Sequence, residues 1–325
     1  MHPAFSVIFL TTLIGVGQGL FLALFTGESY ATVELLPVQS SGFYTWGSAI
    51  ALLFLVAGLI ASVFHLGHPE RAWRAATRWR TSWLSREVIA LPLVMGVVFV
   101  YGVIHYLGWD LKVIGFDTGI RGDLTLLIGT FGVVATFALF LCTGMIYGCI
   151  KFIQEWATPL TVVNYSLLGI GSGFMLATAF ATWQAPELVN FYGGWTIIII
   201  VAGFITRGIS LIRNTRIKPK SSMQTAIGIR DQRIQQKAMG FMGGSFNTRE
   251  FFHHASDAFM RNMKWVFLLV AFVLPVLMLS YALSAHDGAL ILAAFVVQYL
   301  GLIAERWFFF AQANHPQNMY YQKVG

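Results

Sequence analysis

The chain has 325 residues, of which 57% are hydrophobic and 11% charged, and its formal net charge is +7. This composition is typical of an integral membrane protein and excludes an ordinary soluble domain. The basic excess does not indicate nucleic-acid binding, because most Lys and Arg residues lie beside apolar spans, where membrane topology already explains them.

Eight apolar segments are long enough to cross a bilayer as helices. They lie at about 5–26, 45–65, 88–107, 123–149, 159–183, 193–213, 264–284 and 288–310. The short alternating segments of a membrane β-barrel are absent. We therefore predict an all-α integral membrane protein with one membrane domain over 1–325, built from a first bundle at 1–150 and a second bundle at 151–325.

The stretch 65–87, between the second and third predicted spans, is the most polar segment beside the membrane. The flanking segments 46–64 and 88–104 contain no charged residue. Such a cluster at a bilayer edge suits a polar-headed lipid-soluble substrate, a charged partner, or an ordinary basic collar that anchors to lipid. Its charged residues, histidines and tryptophans are His65, His68, Glu70, Arg71, Trp73, Arg74, Arg78, Trp79, Arg80, Trp83, Arg86 and Glu87.

Two sequence patterns occur twice in the chain. The glycine-rich segment 14–23 is echoed at 168–177, and the segment 56–60 is echoed at 201–205. Because four spans separate the copies, they share an orientation, which predicts two parallel four-helix repeats. The alignment pairs His65 with Ser210, so the stretch 65–87 has no counterpart in the second half.

The distribution of Lys and Arg predicts the topology. With eight alternating spans, 19 of these residues fall on one side and 2 on the other. The positive-inside rule then places both termini and the stretch 65–87 in the cytoplasm of a bacterial cell, with the spans in its inner membrane. The segment 214–263 lies on the same side. We interpret it as a surface arm that packs on a partner or on lipid headgroups, with a helix around 223–238 and a glycine-rich break at 240–244.

The side chains of this stretch fit quinone chemistry. His65 has an ordinary pKa near working pH, so it can donate to a carbonyl and be reprotonated. Glu87 could pass protons to the cytoplasm. In an α-helix, Arg71, Arg74 and Arg78 would form one cationic face that stabilises an anionic quinone form or docks an acidic subunit. The residues alone equally allow histidines that only cap the helix end and arginines that bind lipid.

Other types of site fit the sequence less well. A b-type haem needs two buried histidines at matching depth, whereas His65 and His105 lie at opposite ends of their spans. His65 and His68 resemble half of a metal site without a second half. Cys142 and Cys149 are seven residues apart, which excludes a disulfide within one helix, and we predict reduced core cysteines. A transporter would place ionisable residues at mid-membrane, where this chain has almost none.

The runs 65–72 and 84–87 resemble the signature of the DmsC-type membrane anchor family, as do 156–160 and the Glu305–Arg306 region. The resemblance covers essentially the whole chain. It implies an eight-helix anchor without haem that exchanges electrons between quinone and a ferredoxin-like iron–sulfur subunit, which connects to a molybdopterin catalytic subunit. By the same resemblance the quinone-site histidine is His65, its acidic partner Glu87 and its arginine Arg71.

We add Ser85 to this predicted quinone site, and we assign docking of the partner to the remaining arginines, Arg74, Arg78, Arg80 and Arg86. The predicted cytoplasmic orientation departs from dimethyl sulfoxide reductases of this type, whose catalytic subunits lie outside the cytoplasm. It resembles the anchors of SoeABC-type sulfite:quinone oxidoreductases in the same family. We therefore expect electrons from sulfite oxidation in a partner subunit to reach ubiquinone or menaquinone here. The alternatives are a quinol-oxidising anchor of a reductase and, from another class, a transporter.

Overall fold

The computed structural model describes residues 1–109, 112–115, 121–235, 237 and 250–320. Within these residues, eight helical segments are long and apolar enough to cross a membrane, which confirms the predicted spans and the all-α class. The α-helices are α1 (Phe5–Thr32), α2 (Ser41–Val63), α3 (Trp83–Leu107), α4 (Leu124–Gly148), α5 (Pro159–Gln184), α6 (Val189–Thr215), α7 (Met223–Ile227), α8 (Asp257–Leu268), α9 (Leu274–Ala285) and α10 (Gly288–Ala311). The seventh span consists of α8 and α9, joined by a π-helical turn at Leu269–Val273.

Side-chain caps explain where several spans begin. Ser40 accepts a hydrogen bond from the Phe43 amide at the start of α2, and Ser82 accepts one from the Ser85 amide at the start of α3. These oxygens satisfy amides that have no partner inside the helix. The cap at Ser82 fixes the start of α3 and so places Glu87, a residue of the predicted site, just beyond the first turn of this helix.

Helices α1 and α5 pack against each other at the centre of the molecule through glycines. Gly15 lies against Gly169, and Gly19 lies against Gly173, so the two helices run parallel. The alignment of segments 14–23 and 168–177 also pairs Gly15 with Gly169 and Gly19 with Gly173, so the residues that match in sequence are the ones in contact. The repeat itself and the location of both termini in the cytoplasm remain predictions. Small residues let membrane helices approach closely without a gap in van der Waals packing.

We expect Gly173→Ala to destabilise the protein by about 1–3 kcal/mol or more, because the new methyl group overfills the α1–α5 contact. A Cβ at Gly173 would clash with the backbone carbonyl carbon of Gly19. The matched control is Gly194→Ala in α6, where a Cβ would meet no atom within 4 Å. Thermal unfolding in detergent should show Gly194→Ala at or above the wild-type midpoint. Equal midpoints for the two variants would contradict the close approach.

The loops differ from the predictions in several places. A short antiparallel hairpin, β1 (Lys112–Gly115) with β2 (Arg121–Asp123), lies between α3 and α4 and was not predicted. The predicted arm 214–263 is shorter, because α6 continues to Thr215 and α8 begins at Asp257. The helix predicted around 223–238 ends at Ile227, since Gly228 adopts a left-handed conformation with φ of 72°. The break predicted at 240–244 lies outside the described residues.

The end of the arm packs on the ends of the chain. The His2 amide donates to the Glu250 carbonyl, and the Asn318 side chain donates to the Phe251 carbonyl. The Phe251 ring also stacks on His315 with ring centroids 3.8 Å apart. These contacts bring residues 250–251 of the arm together with His2 and with residues 315–318, at the end of the bundle at which α2 finishes and α3 begins.

Candidate functional site

The stretch between α2 and α3 forms a 3-10 helix, Pro69–Arg78, with no buried residue. A proline at its start suits the first helical position, where its missing N–H costs no hydrogen bond. A 3-10 helix has three residues per turn, so Arg71 and Arg74 share a face. Arg78 is turned by about one third of a revolution from that face in this geometry. The prediction of one α-helical cationic face for all three arginines is therefore wrong.

Arginine–tryptophan pairs cover this exposed surface. The Arg86 side chain donates hydrogen bonds to the carbonyls of Trp79 and Arg80, at 2.9 and 2.8 Å, and so links the start of α3 to the preceding turn. Trp73 and Trp79 are 67% and 53% exposed, so lipid or another protein is expected to cover them. The guanidinium-to-ring distances are 5.6 Å for Arg74 with Trp73, 5.4 Å for Arg80 with Trp79 and 4.2 Å for Arg86 with Trp83.

Glu87 is the buried acid of the predicted site. Its side chain lies between α3 and α4, where the residue is 7% exposed and Oε1 accepts a hydrogen bond of 2.5 Å from the Thr143 hydroxyl. Ser85, also buried, lies in the first turn of α3, two residues before Glu87. Among the described residues, no arginine, lysine or histidine forms an ion pair with Glu87. A buried carboxyl with one neutral partner at the membrane edge is suited to exchanging a proton.

His65 lies just beyond the last turn of α2 and is exposed. The surrounding protein removes part of the water around its imidazole, which lowers the pKa of His65 below its usual value. The ring is therefore neutral at pH 7, with one nitrogen that donates and one that accepts. Within the described part of the chain, no hydrogen bond joins His65 to Glu87. The structure thus places the two residues at one end of the bundle without a direct contact.

His68, Glu70 and Arg71, which follow His65 closely in the sequence, form a set of exposed charged contacts. His68 Nδ1 lies 3.0 Å from the Glu70 carboxylate, and Arg71 Nε lies 3.6 Å from the same carboxylate. Exposed pairs of this kind contribute little stability, about 0–1 kcal/mol. Arg71 is therefore held loosely and remains able to reorient toward a ligand or a partner.

The residues at this end fit a quinone. A neutral imidazole at His65 can donate to a carbonyl, and the Glu87 carboxyl can supply a proton. Exposed apolar side chains stand beside them for an isoprenoid tail, with Phe64 81% exposed and Leu84 52% exposed. The assignment of His65, Arg71, Ser85 and Glu87 to a quinone-binding set remains a prediction.

A polar cluster at the opposite end of the first bundle was missed. The Tyr101 hydroxyl donates to Glu28 at 2.6 Å, His105 Nε2 lies 3.4 Å from the same carboxylate, and Tyr44 stacks on the His105 ring. The predicted first span stopped at 26, which placed Glu28 in a loop, whereas α1 continues to Thr32. The spacing of Tyr101 and His105, one helical turn apart, was the available signal.

A second missed cluster lies in the second bundle. Arg207 in α6 and Arg306 in α10 both contact the carboxylate of Glu305, and all three residues are buried. The sequence shows that these residues lie near helix ends. It does not show that α6 and α10 bring them together.

The described residues contain no group of three or more His, Cys, Asp or Glu side chains that could hold a metal ion. The absence of haem and metal from this chain remains a prediction. Cys142 is free and buried, as expected for a core cysteine. Cys149 is free but exposed, because α4 ends at Gly148 and leaves it outside the helix, so its assignment to the core is wrong.

These features define a multi-pass membrane protein with an exposed basic and aromatic surface at the same end of the bundle as a buried carboxyl. Residues 1–311 match the family described as DMSO reductase anchor subunit (DmsC), and the chain belongs to that family. It is also 54% identical over 324 residues to a sulfite dehydrogenase subunit of Allochromatium vinosum, with 100% of both chains covered. The protein is thus a membrane anchor subunit and a homologue of a sulfite dehydrogenase subunit.

Proposed function

We propose that this chain is the quinone-reducing membrane subunit of a sulfite dehydrogenase complex. The observation that carries the proposal is Glu87, a buried carboxyl at the same end of the bundle as the exposed arginine–tryptophan surface. Quinone reduction consumes both electrons and protons. The acid that supplies the protons must therefore lie near the surface on which the electron-donating partner docks. The 54% identity over 324 residues to a sulfite dehydrogenase subunit supports sulfite as the substrate of the complex.

The partner side of the site is the segment Pro69–Arg78 together with the start of α3. We infer that a ferredoxin-like iron–sulfur subunit docks here and receives electrons from a molybdopterin subunit that oxidises sulfite. Tryptophan and arginine are the residues enriched at the energetic centres of protein interfaces. The arginines proposed to contact the partner are Arg74, Arg78, Arg80 and Arg86.

The quinone side of the site consists of His65, Arg71, Ser85 and Glu87. A bound quinone supplies the capacity to accept two electrons and two protons. His65 donates a hydrogen bond that orients the ring, and Glu87, held by Thr143, keeps a proton inside the bundle until it is needed. Arg71 provides positive charge at this end of the bundle, and Ser85 provides a buried hydroxyl in the first turn of α3. No residue of this chain takes part in the oxidation of sulfite.

We place this end of the bundle in the cytoplasm of a bacterium, with the chain in the inner membrane. The excess of 19 basic residues against 2 supports the assignment. Protons for quinone reduction then come from the cytoplasm, the side on which sulfite is oxidised. Turnover should move little charge across the bilayer.

The family match supports one second candidate, a quinol-oxidising anchor of a dimethyl sulfoxide-type reductase. Its electrons would flow from the membrane to the catalytic subunit. The direction of flow and the location of the catalytic subunits separate the two functions.

Proteoliposomes that contain only the purified complex and a quinone provide the test. Sulfite should reduce the quinone when this subunit is present, and the membrane potential should stay near zero because protons and electrons enter from one side. The control is the same complex without this subunit, which should still reduce a water-soluble artificial acceptor. Quinol-driven reduction of a sulfoxide, with no sulfite oxidation, would favour the second candidate. A sulfite-driven potential would instead overturn the assignment of proton uptake to the cytoplasm.

A further inference from the structure

The cluster of Arg207, Glu305 and Arg306 carries an excess of positive charge inside the bundle. These residues are 2%, 0% and 4% exposed. Arg207 Nε lies 2.6 Å from one oxygen of Glu305, and Arg306 Nε donates to the other at 2.5 Å. Arginine stays protonated in proteins, so one carboxylate between two guanidinium groups leaves a net charge of at least +1.

No other carboxylate in the described part of the chain neutralises this charge. Glu305 is the one acid that forms an ion pair with either arginine there. Glu87, the buried acid of α3, is bonded to Thr143 instead. Buried charges in proteins are paired, because removing an uncompensated ion from water is costly. The cluster therefore requires a further negative charge.

A small cavity lies beside Arg306, between α1, α5 and α10. Its volume is about 20 Å³, and Arg306, Tyr165, Ser172 and Thr12 are among the residues that line it. This is room for about one water-sized species. The Tyr165 hydroxyl oxygen interacts with the Arg306 guanidinium, but neither Arg306 Nη1 nor the Tyr165 O–H makes a hydrogen bond of good geometry there, whereas the Ser172 hydroxyl donates to the Gly169 carbonyl. The guanidinium N–H can only donate, and the Tyr165 O–H can donate as well, so both groups can serve as donors to a ligand in the cavity.

We propose that one monovalent anion of halide size, such as chloride, binds in this cavity against Arg306 and Tyr165 and neutralises the arginine cluster. The ligand accepts hydrogen bonds and donates none, as the unused donors require. Water fits the volume but supplies no charge. The cavity is also lined by Gly15 of α1 and Gly169 of α5, so the anion joins the two central helices. Its binding should stabilise the whole membrane domain.

Two measurements on the purified full-length protein test the anion site. Crystals grown in bromide should show an anomalous peak within hydrogen-bonding distance of the Arg306 guanidinium. The unfolding midpoint should rise saturably with chloride or bromide, and should not rise with gluconate at equal ionic strength, because gluconate exceeds the cavity. No bromide peak, together with equal midpoints in chloride and gluconate, would overturn the proposal in favour of a water-filled cavity.

Matched tyrosine variants locate the effect. Tyr165→Phe keeps the ring that lies 4.1 Å from the Arg306 guanidinium carbon but removes the hydroxyl, and should weaken the halide response about tenfold. Tyr192→Phe is the control, since Tyr192 is equally buried with an unpartnered hydroxyl and does not line this cavity. An identical halide response in both variants would place the anion elsewhere and contradict the site.

Discussion

Replacement of Glu87 with glutamine is expected to slow sulfite-dependent quinone reduction by about a hundredfold or more, because the amide cannot deliver a proton. Glutamine has nearly the same shape and can still accept the hydrogen bond from Thr143, so folding should be retained. The rate of quinone reduction by the purified complex, measured beside sulfite oxidation with an artificial acceptor, separates the two steps. Only the first rate should fall.

Glu28→Gln is the matched control for this experiment. Glu28 is also a buried carboxyl with a hydroxyl partner, but it lies at the opposite end of the first bundle with Tyr101 and His105. Its replacement should leave the quinone-reduction rate within about twofold of the wild type, the change expected for a site outside the chemistry. If both variants lost activity equally, the loss would reflect buried carboxyls in general, and Glu87 would have no special role.

His65→Ala is expected to reduce quinone turnover by about a hundredfold while the complex still assembles. The imidazole is accessible at the end of α2 and has no intramolecular hydrogen bond among the described residues, so its loss should not unfold the chain. Co-purification of the subunits reports assembly, and the artificial acceptor reports sulfite oxidation. Both should match the wild type.

His68→Ala is the control, three residues along in the same exposed stretch and, among the described residues, paired with Glu70. It should reduce quinone at close to the wild-type rate. If the quinone kinetics of His65→Ala were unchanged, His65 would have only a structural role at the end of α2. The proposed function would then rest on Glu87.

The residue composition of the stretch 65–87 was predictable from the sequence, but its conformation was not. Arg71, Arg74 and Arg78 have α-helical spacing in the sequence, yet Pro69–Arg78 forms a 3-10 helix and rotates Arg78 off the shared face. Local hydrogen bonding of a short exposed segment decides between these helices, and spacing does not report it. Glu87 was correctly singled out, whereas its partner Thr143 lies 56 residues away and only the packing of α3 on α4 reveals it.

The sequence by itself determined the eight spans, their apolar character and the polar stretch 65–87, because each depends on residues that are neighbours along the chain. A bilayer imposes a minimum apolar length on every crossing, and that length can be read directly. Only the tertiary structure decided which buried polar groups meet. Glu28 with His105 and Glu305 with Arg207 come from helices far apart in sequence, and helix packing in the folded bundle is what brings their charges together.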